Sequence, residues 1–323
     1  MKMSDTRIGI KLLQDRMNAA ILGQEEVVEK IVMVMLADGN LLLEGLPGLA
    51  KTRAINSLAQ ALACDLSRIQ FTPDLLPSDI TGTTVYQPEQ KDNPFVFERG
   101  PIFANLVLAD EINRAPAKVQ SALLEAMEER QVSVSGETYK MADLFMVMAT
   151  QNPVEQEGTY PLPEAQLDRF LMKVVMKYPD REAEKAVLRL VREESKGKTQ
   201  NETPVAQENV FTARNEIKDI KVSEAAEQYI IDLISATRYP GELDAELGRF
   251  INFGASPRGS IALDKASRVK AWLDGRDHVL PDDIRYVAHD VLRHRLILSY
   301  EANAEGVEAD QVIDKLLEIV ISI

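Results

Sequence analysis

Cysteine is almost absent from this sequence. The 323 residues include a single cysteine, Cys64, so no disulfide can form within the chain. This composition is typical of proteins that fold in a reducing compartment, and we expect a cytoplasmic location. The first residues, MKMSDTRIGIKLL, lack the apolar core and the small-residue cleavage site of a signal peptide.

Long apolar runs are also scarce, and basic residues are outnumbered by acidic ones. The longest apolar runs, such as Ile31–Ala37, are far shorter than the roughly 20 residues that span a bilayer, so we expect no membrane insertion. Acidic residues outnumber basic ones by 51 to 37, and the formal net charge is −14. Because lysine and arginine supply much of the affinity for nucleic acids, this charge argues against nucleic acid as the main partner.

What is present is a hydrophobic fraction of 45%, in a chain long enough for one large or two ordinary domains. In residues 1–178, short apolar runs alternate with helical patterns, which predicts a parallel sheet covered by helices. The apolar runs, too short to distinguish a strand from a buried helix segment, are Ile31–Leu36, Leu41–Leu43, Leu106–Ala109 and Phe145–Ala149. The predicted helices are Lys51–Cys64 and Lys118–Arg130, and the alternation in Arg130–Met141 predicts a β-hairpin.

From residue 179 onward the pattern is mostly helical. A charged amphipathic helix begins at Asp180, and a polar loop is expected over Gly197–Asn209. The further predicted helices, with Ser223 and Ser256 as N-caps, are Ser223–Arg238, Pro257–Asp274, Pro281–His294 and Ala309–Ile321. We therefore predict an α/β domain over residues 1–178 and a smaller helical domain over residues 179–323.

The segment GLPGLAKT (Gly45–Thr52) has the spacing of a phosphate-binding loop between a strand and a helix. Glycines let successive backbone N–H groups face a phosphate, and the helix N-terminus adds a positive dipole. Lys51 would reach the β- and γ-phosphates of a nucleotide, and Thr52 would bind Mg²⁺. Ala50 replaces the usual glycine, which the loop tolerates if this residue is helical. The alternative is a strand-to-helix turn with an unrelated lysine.

Two further strands are predicted to end in polar residues. In LVLADE (Leu106–Glu111), Asp110 would hold Mg²⁺ through water and Glu111 would orient and polarise an attacking water. In MVMATQNP, Asn152 could bind the γ-phosphate or the attacking water. The alternatives are acidic residues that open a helix and a simple Asn-Pro turn.

Two arginines are candidates for stabilising a transferring phosphoryl group, often from a neighbouring subunit. Arg169 lies in EAQLDRF, and Arg258 follows the N-cap Ser256. The alternative for each is a surface ion pair. The basic cluster Arg293–Arg295 is interpreted as a solvated face.

The series GLPGLAKT, LADEINRAP, ATQNP, LPEAQLDRF and SPRG, in this order, closely resembles the MoxR family of AAA+ ATPases over essentially the whole chain. Ala50 fits this resemblance, since the family often has GLAKT here. The resemblance implies a P-loop α/β core with a parallel sheet between helices, followed by a smaller all-α lid. It also implies ATP and Mg²⁺ as ligands and a homo-oligomeric ring, expected to be a hexamer. Partners with von Willebrand factor A domains are implied as well.

The resemblance assigns roles to individual residues. Asp110 and Glu111 correspond to Walker B, Asn152 to sensor 1, Arg169 to the arginine finger acting on the adjacent subunit, and Arg258 to sensor 2, which reports the γ-phosphate to the lid. Arg114 corresponds to an extra contact across the subunit interface. An insert is implied over about Pro77–Gly100. The residues implied to hold ATP are Gly23, Gln24, Leu46, Pro47, Gly48, Leu49, Ala50, Lys51, Thr52, Arg53, Asp110 and Arg258, with Thr52 and Asp110 at the metal.

Three functions remain open from the sequence. The first is an ATP-hydrolysing machine that remodels or matures a partner complex, and the second is a nucleic-acid-dependent ring ATPase. The hairpin segment VSVSGETY has no lysine or arginine, which argues against the second. The third is a nucleotide-gated binding module with little turnover.

Overall fold

A computed structural model of the chain describes residues 4–46, 48–49, 51–88, 94–152, 158–195 and 203–321. The strands are β1 (Leu41–Glu44), β2 (Leu66–Gln70), β3 (Gly82–Tyr86), β4 (Phe95–Arg99), β5 (Leu106–Asp110), β6 (Gln131–Val134), β7 (Glu137–Lys140), β8 (Met146–Gln151), β9 (Met172–Val175), β10 (Ile251–Phe253) and β11 (Ile297–Leu298). The helices are α1 (Asp5–Ala20), α2 (Glu25–Leu36), α3 (Lys51–Leu62), α4 (Pro77–Thr81), α5 (Ala117–Glu129), α6 (Glu164–Leu167), α7 (Arg181–Glu194), α8 (Glu208–Lys218), α9 (Glu224–Arg238), α10 (Ala245–Phe250), α11 (Pro257–Leu273), α12 (Pro281–Leu292), α13 (Tyr300–Ala304) and α14 (Ala309–Ile319).

The central sheet has five parallel strands in the order β2-β5-β8-β1-β9. Its inner strands β1, β5 and β8 are almost completely buried, which explains why their sequences are continuous apolar runs rather than alternating ones. The sheet therefore confirms the predicted parallel core. All five strands run the same way, so their carboxyl ends lie along one edge.

The apolar run Ile31–Leu36 is a helix, the second half of α2, and not a strand. Each of its six residues is buried, because α2 is surrounded by α1, α8, α11 and β9. A helix buried on all sides has no polar face, so its sequence has no helical period. This is the physical reason that the run could not be assigned from the sequence.

The other predicted elements of the first part are present. Helices α3 and α5 match the predicted ones within a residue or two, and β6 and β7 form the predicted antiparallel hairpin. The implied insert contains α4 and the antiparallel pair β3–β4. The ring of Phe97 in β4 stacks on Tyr139 in β7, with centroids 4.1 Å apart, so the two hairpins pack on each other.

The second part is largely helical, with one short antiparallel ribbon of β10 and β11. Ser223 and Ser256 are N-caps as predicted, because their hydroxyls accept hydrogen bonds from Ala226 N and Arg258 N. The predicted polar loop is shorter than expected, since α8 already begins at Glu208; its residues 196–202 lie outside the described part. Within the described ranges, no helix combines the length and the apolar character needed to cross a membrane.

Candidate functional site

The phosphate-binding loop leaves the central strand β1 at Gly45 and enters α3 at Lys51. Gly48 has φ +83°, a left-handed conformation that favours glycine. The Nζ atom of Lys51 donates a hydrogen bond of 2.8 Å to the carbonyl oxygen of Gly45, so the lysine side chain lies along the loop. Thr52 lies in the first turn of α3, as a metal-binding hydroxyl requires. Of the implied ligands, Pro47 and Ala50 lie outside the described residues.

An apolar cavity of about 100 Å³ adjoins this loop. It is lined by Ala20, Ile21, Leu22, Gln24, Gly48, Leu49, Arg53, Pro179, Val187 and Leu190. Three segments therefore meet here: the turn after α1, the phosphate-binding loop and helix α7. An apolar cavity beside a phosphate site suits a nucleotide base.

Gly23 and Gln24 join the turn after α1 to the start of α7. Gly23 has φ +75°, and a Cβ added to it would lie 2.5 Å from the Cβ of Ala183 in α7. Gln24 Nε2 donates to the carbonyl oxygen of Lys177 at 2.8 Å. These contacts bring the two sides of the cavity together.

The side chain of Arg53 contacts protein groups on two other helices, which a residue serving only as a phosphate ligand would not do. Its Nε donates to the carbonyl oxygen of Ala20 at 2.6 Å, and its guanidinium forms an ion pair with Glu194 at the end of α7. Arg53 thus ties α1 and α7 to α3 beside the cavity.

The acidic pair lies at the end of β5, held by a residue of β8. Thr150 is completely buried, and its hydroxyl donates to Asp110 Oδ1 at 2.7 Å while it accepts from the backbone N of Glu111 at 2.9 Å. Glu111 has φ +56°, a left-handed conformation that costs a non-glycine residue roughly 1–2 kcal/mol. Thr150 therefore stabilises an unusual turn that carries both carboxylates.

Side chains from β2 and from the turn after β5 contact the same carboxylates. Arg68 lies 2.6 Å from Asp110 Oδ2, and Gln70 Nε2 donates to Glu111 Oε2 at 2.9 Å. Arg114, expected at a subunit interface, has its Nε 3.0 Å from the same oxygen of Glu111 within this chain. Both carboxylates are thus oriented by neighbours at the sheet edge.

The donor set fits a magnesium ion. Thr52 offers a hydroxyl and Asp110 a carboxylate, and Mg²⁺ prefers such oxygen ligands with water in the remaining positions. Asp110 keeps one oxygen in the Thr150 hydrogen bond, while Arg68 contacts the other. An ion bound there would therefore compete with Arg68 for that oxygen.

Asn152 follows β8, which lies between β5 and β1 in the sheet, and its side chain is buried. Gly45 N donates to the carbonyl oxygen of Gln151 at 3.3 Å, so the end of β8 touches the start of the phosphate-binding loop. Asn152 thus follows the strand that lies between the strand of the acidic pair and the strand of the loop, where a sensor of the γ-phosphate is expected.

Arg169 and Arg258 lie together, but at the opposite edge of the sheet. Both pair with Glu128 in α5: Arg169 Nε is 2.9 Å from Oε2, and Arg258 contacts Oε1. Arg169 precedes β9, which is paired with β1 from Leu41↔Met172 onward, whereas Gly45 follows the other end of β1. The strand alone separates the two ends by about 10 Å, at roughly 3.3 Å per residue. The arginines therefore lie near the end of β1 that is opposite to this chain's own phosphate-binding loop.

The cluster Arg293–Arg295 is not a solvated face, and this prediction is wrong. The side chain of Arg295 is 3% exposed. Its guanidinium pairs with Asp168 at 2.8 Å and donates to the carbonyl oxygens of Phe170 at 2.7 Å and Leu171 at 3.2 Å. Arg293 pairs with Asp290 and Asp310. Charged side chains at such a site are paired because an isolated buried charge is costly.

His294, inside the same cluster, is buried against the carbonyl oxygen of Phe170, with its Nε2 at 3.1 Å. Burial, together with the neighbouring Arg295 guanidinium, holds the pKa of His294 well below its usual range. The imidazole is therefore neutral in the folded protein at pH 7.

The sequence did not single out four residues that the structure brings to these sites. They are Arg68, Gln70, Thr150 and Glu128. Arg68 and Gln70 are two residues apart at the end of a strand, a spacing that sends both side chains to one face. That spacing was the available signal for Arg68 and Gln70, and the hydroxyl in ATQN, just before Gln151 and Asn152, was the signal for Thr150. The sequence held no comparable signal for Glu128.

The strand order and the polar residues at the carboxyl ends of three adjacent strands define a P-loop nucleotide-binding protein. Comparison with known proteins refines this class. Residues 40–172 match the family described as "ATPase family associated with various cellular activities (AAA)", and residues 248–316 match the AAA lid domain. The domain boundary at residue 178 falls between these two matches and stays a prediction.

Full-length relatives give the family. The chain is 45% identical to Chaperone MoxR1 of Mycobacterium tuberculosis, covering 93% of this chain and 78% of that protein. It is 31% identical to Protein MoxR of Methylorubrum extorquens, covering 96% and 94%. A crystal structure of a "putative ATPase" from Cytophaga hutchinsonii superposes with a TM-score of 0.90 at 46% identity, covering 98% of this chain and 95% of that one. The chain belongs to the MoxR family of AAA+ ATPases.

Proposed function

We propose that this protein hydrolyses ATP as a subunit of a homo-oligomeric ring, a hexamer, and uses the cycle to remodel or mature a partner protein complex in the cytoplasm. One observation carries the proposal. The phosphate-binding loop and the acidic pair lie at one edge of the sheet, while Arg169 and Arg258 lie at the other. A chain with its catalytic arginines on the far side needs a second copy to complete a site.

Within one chain, the residues at the carboxyl edge divide the work. The base of ATP would occupy the cavity beside Gly48, and Lys51 would bind the β- and γ-phosphates. Thr52 and Asp110 would hold Mg²⁺, which when bound neutralises charge on the phosphates. Glu111, held by Thr150 through its backbone, would accept a proton from the attacking water.

The neighbouring copy would supply the positive charge. Arg169 and Arg258 would contact the γ-phosphate of the adjacent subunit and stabilise the charge that develops on it during transfer. Because Arg258 lies in the first turn of α11 of the lid, loss of the phosphate would change the contacts of the lid with the adjacent subunit. This differs from a lid arginine that closes over its own nucleotide.

The test is steady-state ATP hydrolysis against protein concentration. Specific activity should rise with concentration as rings form, and Glu111→Gln and Arg169→Ala should each lose it, by about 10³-fold for the arginine. Arg189→Ala, an exposed arginine of α7, is the matched control and should keep full activity. Wild-type turnover that is independent of concentration, with an active Arg169→Ala variant, would refute the shared site.

Mixing the two inactive variants sharpens the test. Arg169→Ala retains an intact loop and acidic pair, and Glu111→Gln retains intact arginines. Activity should therefore return in mixed rings, because at some interfaces the intact loop and acidic pair of the Arg169→Ala variant face the intact arginines of the Glu111→Gln variant. High-affinity ATP binding without turnover in any sample would instead favour the nucleotide-gated binding module.

For the client of this ATPase, we propose a class of protein and no individual partner. The similarity to Chaperone MoxR1 motivates a protein partner, and proteins with von Willebrand factor A domains are the class we propose. The experiment is stimulation of ATP hydrolysis by such a domain compared with single-stranded DNA. Stimulation by DNA, together with retention on heparin at low salt, would favour the nucleic-acid motor instead.

A further inference from the structure

We propose that Glu128 is a positioning residue that holds Arg169 and Arg258 side by side for the neighbour's phosphate; this rests on the proposed function. Glu128 lies in the last turn of α5, and each of its carboxylate oxygens contacts one arginine. The arginines come from distant segments, one before β9 and one at the start of α11. Glu128 is the side chain that joins them.

A negative charge is needed at this place because positive charge is crowded there. Arg130, Lys265 and Arg295 line the same cavity of about 370 Å³ as the two arginines. Its other carboxylates are already engaged: Asp38 pairs with Arg130, and Asp168 pairs with Arg295. Without Glu128, like charges would push Arg169 and Arg258 apart.

The contact leaves the donors of Arg169 available. Glu128 approaches the inner nitrogen, Nε, as an ion pair at 2.9 Å whose angle is not that of a hydrogen bond. Among the described residues, no hydrogen-bond acceptor is bound by the terminal nitrogens of Arg169. The terminal fork of a guanidinium is the part that binds phosphate oxygens in pairs. The three side chains are partly accessible, with exposures of 29% for Arg169, 46% for Arg258 and 35% for Glu128.

The backbone around the pair is fixed independently of Glu128. Ser256, the N-cap of α11, donates to Asp168 Oδ2 at 2.7 Å, and Arg295 holds Asp168 Oδ1 at 2.8 Å. This buried cluster joins the lid to the segment that carries Arg169. Removing the charge of Glu128 should therefore disturb the direction of two side chains and leave the fold in place.

The experiment compares Glu128→Gln with Glu129→Gln, the same change one position along the same helix, on an exposed side chain. Glu128→Gln should lower kcat by about 10²-fold, the cost of misplacing a catalytic group by about 1 Å. Its ATP affinity should stay within about twofold of wild type, because the phosphate-binding loop and the base cavity are unchanged and the arginines act mainly on the charge that develops during transfer. Glu128→Asp should recover part of kcat, and Glu129→Gln should resemble wild type.

Mixed rings separate positioning from damage to the fold. Glu128→Gln mixed with Glu111→Gln should regain activity, because the second variant supplies correctly held arginines to the intact site of the first. Three results would overturn the proposal: kcat of Glu128→Gln equal to that of Glu129→Gln, no recovery on mixing, or loss of ring assembly at concentrations where Glu129→Gln assembles. If Arg169→Ala keeps wild-type activity, the shared site itself fails, which is a distinct result.

Discussion

Replacing Thr150 by valine should destabilise the protein, although valine fits a buried strand and has nearly the same shape. Thr150 has no exposed surface, and its hydroxyl makes two hydrogen bonds, to Asp110 Oδ1 at 2.7 Å and from Glu111 N at 2.9 Å. A hydrogen bond to a charged group contributes about 1.5–3 kcal/mol, and a buried donor without a partner costs about 1–3 kcal/mol. After the gain from one more apolar group, about 0.8 kcal/mol, we expect a net loss of roughly 2–5 kcal/mol.

The assay is urea unfolding of the nucleotide-free protein, followed by circular dichroism. Thr150→Ser is the matched control, since it keeps the hydroxyl and loses one methyl group, at a cost of about 1 kcal/mol. Burial of apolar surface alone would make the valine variant the more stable of the two. The hydrogen-bond reasoning requires the opposite order, so a valine variant as stable as the serine variant would refute it.

Three further predictions concern contacts between segments that are distant in the sequence. Arg295→Gln should cost about 3–5 kcal/mol in urea unfolding, because it leaves the largely buried Asp168 carboxylate without its cationic partner. Gly23→Ala should weaken ATP binding, since its Cβ would meet that of Ala183 at 2.5 Å, and Ala183→Gly in the same chain should restore part of the affinity. His294 has a lowered pKa when folded, so the unfolded chain takes up the proton first as pH falls below about 6.5. The wild type should therefore lose stability as the pH falls from 7.5 to 5.5, and His294→Asn should lack that part of the pH dependence.

Each of these has a result that would contradict it. An Arg295→Gln variant within about 0.5 kcal/mol of wild type would mean that the pair behaves as a surface ion pair. If Ala183→Gly fails to improve ATP binding by the Gly23→Ala protein, the close approach to α7 is not the cause of the defect. Equal pH slopes for wild type and His294→Asn would show that His294 titrates alike in both states.

Local pattern was enough to predict which candidate residues lie together at the carboxyl edge of the sheet. The loop Gly45–Thr52, the acidic pair after β5 and Asn152 after β8 were found because each is a short motif next to a recognisable apolar run. Parallel strands place their carboxyl ends together whatever their order, so proximity followed from the predicted class of sheet. Neither the strand order nor the residues that orient Asp110 and Glu111 could be predicted in this way.

The fold decided the features that depend on contacts between distant segments. In the sequence, the buried Arg295 cannot be distinguished from a solvated arginine. The partners of Arg295 are largely backbone carbonyls more than 120 residues away, and sequence periodicity does not reveal such distant contacts. Arg169 and Arg258 were both found as candidate arginines, but their meeting at Glu128 required the lid to pack on the segment before β9. The sequence by itself thus determined the local motifs and the class of fold, because hydrophobic period and turn chemistry act over a few residues. Only the tertiary structure decided which charges are buried and which side of the subunit carries the arginines, because burial and pairing depend on how distant elements pack.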